Sequence, residues 1–515
     1  MKRFITAVAG IVLVWFLVPV AASAANETPT YNQDVGPILY SNCSNCHRPN
    51  QIAPMSLLSY KDARPWARAI KSKVEAREMP PWFADPRFGE FANDTSLSDE
   101  DIATITAWVD AGAPEGDGPS PTAPTFSAAG WSHPDGLEPD FIYEAPFEWH
   151  IDAEGESPNF NLYSKMPFDD ARMVAATQLR PGNYAATHHI VTGALNVPPG
   201  LVIGTGPAWP GGPVTDYTMV PDPNADPALL KRIAAATAAG GAGAPDPAAD
   251  LPSAAGARAA RSAGAEEPPA QEQVQDLRGG LGPYIPGVGA EVAKSGQARE
   301  IRGDLFSHLF WNLHYQATGK PETARPMAGL WWAKDKATTR VRTLGLNEHT
   351  SESAQLVAPP PLPPAEAAAA ALAAAQAGQG LNPLLGVIPA NAANWTVTGI
   401  GAFQNDAIIQ SLFIHAHVRG KDFTWVLTYP DGREEVLLRV PNYNFDWQFT
   451  YDLAEPLKVP AGSTVKSIAR YDNSRENRRN PAPHKDAYWS EQSWDDMFLS
   501  TVSYTVDETA TEGDE

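Results

Sequence analysis

The sequence predicts a multidomain chain with a small all-α unit at the front and all-β structure after it. Three observations lead there. The length of 515 residues exceeds one core at the usual ~150 residues per domain and suits about three. Apolar positions near the start recur at helical spacing. From about residue 140 onward, short apolar runs are separated by turn chemistry, which favours sandwiches over helical architectures.

The first 24 residues carry Lys2 and Arg3, an apolar run from Ile5 to Val20, and Ala22-Ser23-Ala24. This is the plan of a cleaved export signal, with the mature chain expected from Ala25, no membrane span left after cleavage, and a periplasmic or secreted location. A retained anchor is the alternative. A formal net charge of -22 and a pI near 4.9 argue against nucleic acid as a partner.

Cys43 and Cys46 are the only cysteines, and they fall in Cys43-Ser44-Asn45-Cys46-His47. An exported protein would normally use cysteines in disulfides, but the C-x-x-C-H spacing attaches c-type haem: two thioethers hold the ring and the adjacent His47 supplies one axial nitrogen. A redox dithiol or half a zinc site are the alternatives, and no second cysteine pair supports either. Val35, Ile38 and Leu39 form a helical face running into the motif, while Ser98 caps a helix with Ile102, Ile105, Trp108 and Val109 on one face and Gly112 as its stop. The sixth ligand is expected from Met79, stiffened by Pro80 and Pro81, with Met55 as competitor. Residues 28 to 118 resemble bacterial haem c domains fused to other modules, and a cytochrome c domain is set at 25–118.

The 49 Pro and 40 Gly exceed what compact domains need. Residues 114 to 128 read as a flexible joint, and a linker is set at 119–139. Residues 222–275 and 357–380 read as low-complexity insertions, although Ala365 to Gln376 has the propensity for a short helix. Between Leu438 and Tyr451 the residues Tyr443, Phe445, Trp447, Phe449 and Tyr451 alternate with polar ones, the pattern of a strand. Pro430-Asp431-Gly432 and Pro460-Ala461-Gly462 mark turns. An acidic tail follows at 506–515.

Histidines supply the second candidate site. His415-Ala416-His417 lies in an apolar strand-like segment, and residues two apart on a strand share a face, so both can hold one metal. Met497 offers a soft thioether, or is simply core. In His308-Leu309-Phe310-Trp311-Asn312-Leu313-His314-Tyr315, alternation places His308, Asn312 and His314 together, with His308 as ligand, supporting partner or ordinary polar contact. His188 and His189 are adjacent, so both reach one metal only at a strand end, twist or bulge. His133, His150, His349 and His484 lack such a setting.

Taken in order, His188-His189, His314, His415-x-His417 and Met497 resemble the ligands of the ascorbate-dependent type II copper monooxygenases, the family of peptidylglycine alpha-hydroxylating and dopamine beta-monooxygenases. Leu313-His314-Tyr315, His415 to Gly420 and Trp494-Asp495-Asp496-Met497 carry the likeness. The resemblance implies two jelly-roll-like β-sandwich domains, set at 140–345 and 346–505, with two copper ions. It implies an electron-transfer copper on His188, His189 and His314, and a catalytic copper on His415, His417 and Met497 that binds dioxygen beside a small-molecule substrate. An external electron donor is then needed, and the front haem is a suitable entry point. Phe413 stands where the peptide-hydroxylating enzyme has a carboxylate-binding arginine, so a peptide substrate is not supported. The alternative is an electron-transfer cytochrome fused to non-catalytic copper- or partner-binding sandwiches.

Overall fold

A computed structural model describes residues 28–49, 51–126, 130–155, 158–197, 200–209, 211–227, 280–334, 339–346, 387–489 and 492–506. The expected export signal, the bodies of both insertions and nearly all of the acidic tail lie outside them. Among the described residues no helix is long and apolar enough to cross a membrane.

Among the described residues, helical structure is confined to the front. The turn Tyr31–Val35 continues as the helix Gly36–Asn42, which ends at Cys43. Ala67–Glu75 and Asp99–Asp110 follow. Ser98 caps the last of these as its sequence indicates, its hydroxyl accepting the Asp101 N–H at 3.0 Å, and Asp99, Glu100 and Asp101 complement the N-terminal dipole. Gly112 closes it with φ +91, a conformation that favours glycine. Tyr31, Leu39, Ile70, Val74, Ile105 and Trp108 bury a common core.

The expected flexible joint is instead bonded back onto this unit over its first half. Tyr31 and Asn32 donate backbone N–H groups to Pro114 and Glu115 at 3.0 and 2.9 Å, and Trp108 Nε1 donates to the Pro114 carbonyl at 2.9 Å. Within the expected linker, Trp131 is already packed edge-on against Trp331, with centroids 6.1 Å apart.

The rest is β-structure in sandwiched sheets. One sheet runs Phe141–Glu144, Met327–Trp332, Ala171–Arg180, Gln297–Arg302, Thr339–Gly345, Leu499–Val506, Ala407–His415 and Thr450–Val459. It is covered on the first half by the sheet containing Phe160–Lys165, His308–Tyr315 and Thr187–Leu195, and on the second by Trp395–Ala402, Thr464–Tyr471, Gly420–Thr428 and Glu434–Val440. Separate apolar cores fill the halves, one around Trp311 and Leu313, the other around Phe423, Trp425 and Tyr471. The two halves are nevertheless joined by one strand. Thr339, Arg340 and Val341 pair with Gln297–Arg299, and Arg342 to Gly345 pair with Tyr504 to Thr501. The 345/346 boundary therefore falls at the end of a strand shared by both.

The alternating segment 438–451 is not one strand. Glu434–Val440 ends before it and Thr450–Val459 begins near its end, leaving 441–449 as a folded loop in which Trp447 N–H returns to the Asn444 carbonyl at 3.0 Å. Its aromatic rings face different neighbours, so alternation here reports several packing surfaces rather than one sheet face. The expected turns at 430–432 and 460–462 are present, with Gly432 and Gly462 at φ +85 and +84.

Candidate metal centre and front motif

On the strands Thr187–Leu195 and His308–Tyr315, His314 faces His189 but the next pair is Tyr315 with Thr187. His188 is thus the extra residue of a β-bulge, the condition under which two consecutive histidines reach one point. His188 Nδ1 and His189 Nδ1 lie 3.2 Å apart, the His314 ring centroid is 4.8 and 5.1 Å from theirs, and one ligand atom from each lies within 4.8 Å of the others. The three can hold a metal ion.

Hydrogen bonding fixes which nitrogens are free. Asn312 Nδ2 donates to Asn161 at 3.0 Å, so its oxygen faces His189 Nε2 at 3.2 Å; that nitrogen carries the proton and Nδ1 keeps its lone pair. His314 Nδ1 is buried without a partner. Burial, then the neighbouring imidazoles, pushes His314 down to about 3 and His189 well below the usual histidine value; burial also lowers His188. All three are held neutral, as metal ligands must be.

The second set differs from expectation in one respect. The strand Ala407–His415 stops at His415, so His417 lies beyond its end rather than on the same face. The rings still meet edge-to-face with centroids 5.1 Å apart. Gln448 Nε2 donates to the Phe445 carbonyl at 3.0 Å, which turns its oxygen toward His415 Nδ1 at 2.6 Å and leaves His415 Nε2 free. His417 is 1% exposed and its Nδ1 has no partner. Burial lowers both, His415 to about 4.

Buried Asp496 ties this set to Met497. One carboxylate oxygen accepts the N–H of His417 at 3.0 Å and of Met497 at 2.8 Å, and the other accepts Arg419 N–H at 3.1 Å. The Arg419 guanidinium is itself buried, bonded to Asn473 and to the Trp494 and Asp495 carbonyls. Burial pushes the Asp496 carboxyl up to about 7 against these donors and the nearby Arg419 charge. Met497 accepts the Tyr471 hydroxyl on its carbonyl at 2.8 Å.

Phe445 stands between the sets, 5.0 Å from the His188 ring and 5.7 Å from the His417 ring. The sets are close enough for their charges to interact: His188 disfavours protonation of His415, and His314 does so for His417.

In the front motif, His47 Nδ1 lies 3.3 Å from the Met55 carbonyl. A carbonyl only accepts, so Nδ1 carries the proton and Nε2 is available to an iron. Both thiols are free, and burial pushes Cys43 up to about 12. Cys46 faces the sheet units: its Sγ is 3.6 Å from the point a Cβ on Gly287 would occupy, and Trp447 is 3.9 Å from that point. Met55 packs on the helical core, whereas Met79 is half-buried beyond Ala67–Glu75 with its N–H on the Lys73 carbonyl at 3.4 Å.

His308 is not part of either set. It lines a separate cavity of about 560 Å3 with Tyr163 and Tyr217, and its ring meets the Ser307 hydroxyl at 2.8 Å. His133 packs on Trp331, and His150 and His484 are exposed; His349 lies outside the described residues. Sequence reasoning placed Asn312 on the site face and Asp496 in the motif beside Met497, but missed Gln448, the clamping role of Asp496 and the bridging position of Phe445.

No protein-family model matches the chain, and no curated protein matches it. Among solved structures, PNGF-II in one crystal form is similar at 7% identity and a TM-score of 0.24, covering 71% of this chain and 65% of that one. The chain thus spans just under two thirds of that structure. Procruciferin, the 11S globulin from Brassica napus, is similar at 9% identity and a TM-score of 0.12, with 72% and 84% covered. Likenesses at this level carry no assignment.

Proposed function

We propose that the chain is an exported, periplasmic or secreted, haem- and copper-dependent oxidoreductase: a monooxygenase that hydroxylates a small molecule with electrons entering through a c-type haem. The observation that carries the reading is the opposition of two sets of buried, neutral imidazoles across Phe445. The donor chemistry fits copper at both. His188, His189 and His314 would hold one ion through a bulged pair and a facing strand, and His415, His417 and Met497 the other. The unpartnered Nδ1 atoms of His314 and His417 support the fit, because buried polar nitrogens without partners are rare unless a ligand completes them. Cys43, Cys46 and His47 would hold the haem, supported by the free Nε2 of His47, with Met79 or Met55 as the candidate thioether ligand. When bound, these groups supply one-electron transfer and dioxygen chemistry.

The chain's own part is to orient and to exclude water. Asn312 and Gln448 each fix one imidazole tautomer, Asp496 clamps the His417 and Met497 segments, and Phe445 fills the gap. Cys46 and Trp447 near Gly287 put the front motif beside the loop that carries Phe445.

The near-complete burial of His417 favours a second reading, an electron-transfer cytochrome fused to copper- or partner-binding sandwiches without turnover. The deciding experiment is the molar ratio of copper to covalent haem in the exported protein, with His314→Ala and His415→Ala beside it. Two coppers per haem, one lost in each variant, supports the two-site reading. Haem without copper after copper has been supplied would sink it. Dioxygen uptake coupled to a hydroxylated product then separates the enzyme from the electron carrier.

A further inference from the structure

The hairpin Leu201–Pro207 and Val214–Pro221 packs through Leu201 and Met219 on Tyr163 and Phe310 of the first sandwich. Between this hairpin and the strands Phe160–Lys165 and His308–Tyr315 lies a cavity of about 560 Å3, the size of a small-molecule site. His308 begins the strand on which His314 lies, about 20 Å further along at ~3.3 Å per residue. No histidine of either set lines the cavity, so what it binds is independent of the copper and haem reading.

Its walls are mostly rings held in place. The Tyr143 hydroxyl donates to the Lys165 carbonyl at 3.0 Å, and the Tyr217 hydroxyl donates to the Pro146 carbonyl at 2.6 Å. With those hydroxyls engaged, the two tyrosines offer ring surface, and Leu201 and Ile203 add aliphatic surface.

The groups that can choose a ligand are accessible. Lys165 and His308 are directly opposed across the two strands, so both side chains stand on one side of the sheet, and both line the cavity. Lys165 is exposed, and among the described residues its ammonium has no ion-pair or hydrogen-bond partner, in a chain with 60 acidic residues against 38 basic ones. His308 is half-buried, with Nδ1 2.8 Å from the Ser307 hydroxyl; that hydroxyl can donate, which puts the ring proton on Nε2, an atom with no partner among the described residues. Burial, then the Lys165 charge, lowers the His308 pKa, so the empty cavity presents one cation beside one neutral donor. Asp216, the carboxylate in the wall, accepts the Thr205 hydroxyl on the facing hairpin strand and makes no ion pair with Lys165.

We infer that this cavity is a binding site for a small aromatic carboxylate, its two oxygens taken by Lys165 Nζ and His308 Nε2 and its ring laid among Tyr143, Tyr163 and Tyr217. A carboxylate brings one charge and two acceptor oxygens, which match one cation and one neutral donor. A phosphate monoester would bring further charge with no second cation to meet it.

The test titrates the full exported chain by calorimetry with benzoate and with benzamide, which has the same size and no charge. Benzoate should bind about tenfold tighter or more at low salt. Lys165→Met should remove that preference and leave benzamide binding unchanged, whereas Lys165→Arg should keep it. The exposure of Lys165 makes these replacements compatible with the fold. Asp216→Asn, which takes away the one negative wall group, should tighten benzoate binding alone. Val202→Trp, at a half-buried wall position, should abolish binding of both probes. Equal affinity for the two probes, a preference for benzoate that survives Lys165→Met, weaker benzoate binding in Asp216→Asn, or benzoate seen only in soaked crystals with no saturable heat in solution would overturn the inference.

Discussion

Asp496 accepts the backbone N–H of His417 at 3.0 Å, and the same oxygen accepts the N–H of Met497. One carboxylate therefore sets the spacing of two chain segments that are far apart in sequence. Removing it leaves three N–H groups without an acceptor and takes from the buried Arg419 one of its two nearby carboxylate charges, Asp495 being the other. Asp496→Ala should cost about 3–5 kcal/mol of stability. Asp496→Asn, which keeps one acceptor, should cost less than half as much; chemical denaturation of both variants checks the ordering.

Gln448 holds the His415 proton on Nδ1 at 2.6 Å. Gln448→Leu frees the ring to turn and to exchange tautomers. Metal affinity at the second set should fall by about 10–100-fold while the His188, His189 and His314 set keeps its own. Competitive chelator titration, with His314→Ala as background, reads the second set alone.

Asp452 carries a pH signature away from both histidine sets. Burial, with Glu291 adding and Lys294 opposing, raises its carboxyl to about 6. The folded value exceeds the unfolded one, so the stability this group contributes is full below pH ~4 and is lost as pH rises through about 6. Asp452→Asn should thus be more stable than wild type by about 1–3 kcal/mol at pH 8 and equal to it near pH 4. Melting curves at the two pH values decide; a difference at pH 4 as large as at pH 8 would contradict the assignment.

Trp82 is the anchor of the helical unit. Its ring lies 5.1 Å from Tyr451, 5.9 Å from Phe91 and 6.0 Å from Phe449, beside the bridge of Phe91 with Leu453. Trp82→Ala should destabilise by about 3 kcal/mol and should make limited proteolysis release the front unit before the sheets are cut.

Much of the candidate site is written in residue type and spacing. The consecutive histidines require an irregular strand, and the bulge at His188 supplies it; Asn312 follows from period-two alternation with His314. Gln448 and Phe445 were not readable in this way. They sit in a loop whose aromatic residues alternate because Tyr443 packs on Phe423, Phe445 between histidines, and Trp447 on Phe449. A two-residue period reports two environments without saying that one sheet provides them. The segment 114–118 misled for a related reason. Its Pro and Gly content marks an irregular path, but not the carbonyls that Tyr31, Asn32 and Trp108 require.

The strand Thr339–Gly345 belongs to both halves, and this governs how the molecule can be divided. A cut at its end would strip Leu499–Val506 of a neighbour, and a cut before it would strip Gln297–Arg302 of one. Either fragment would present a bare edge of N–H and C=O groups ready to recruit another chain. Expressed separately, the halves should aggregate, and heat should melt the intact sheets in a single cooperative event.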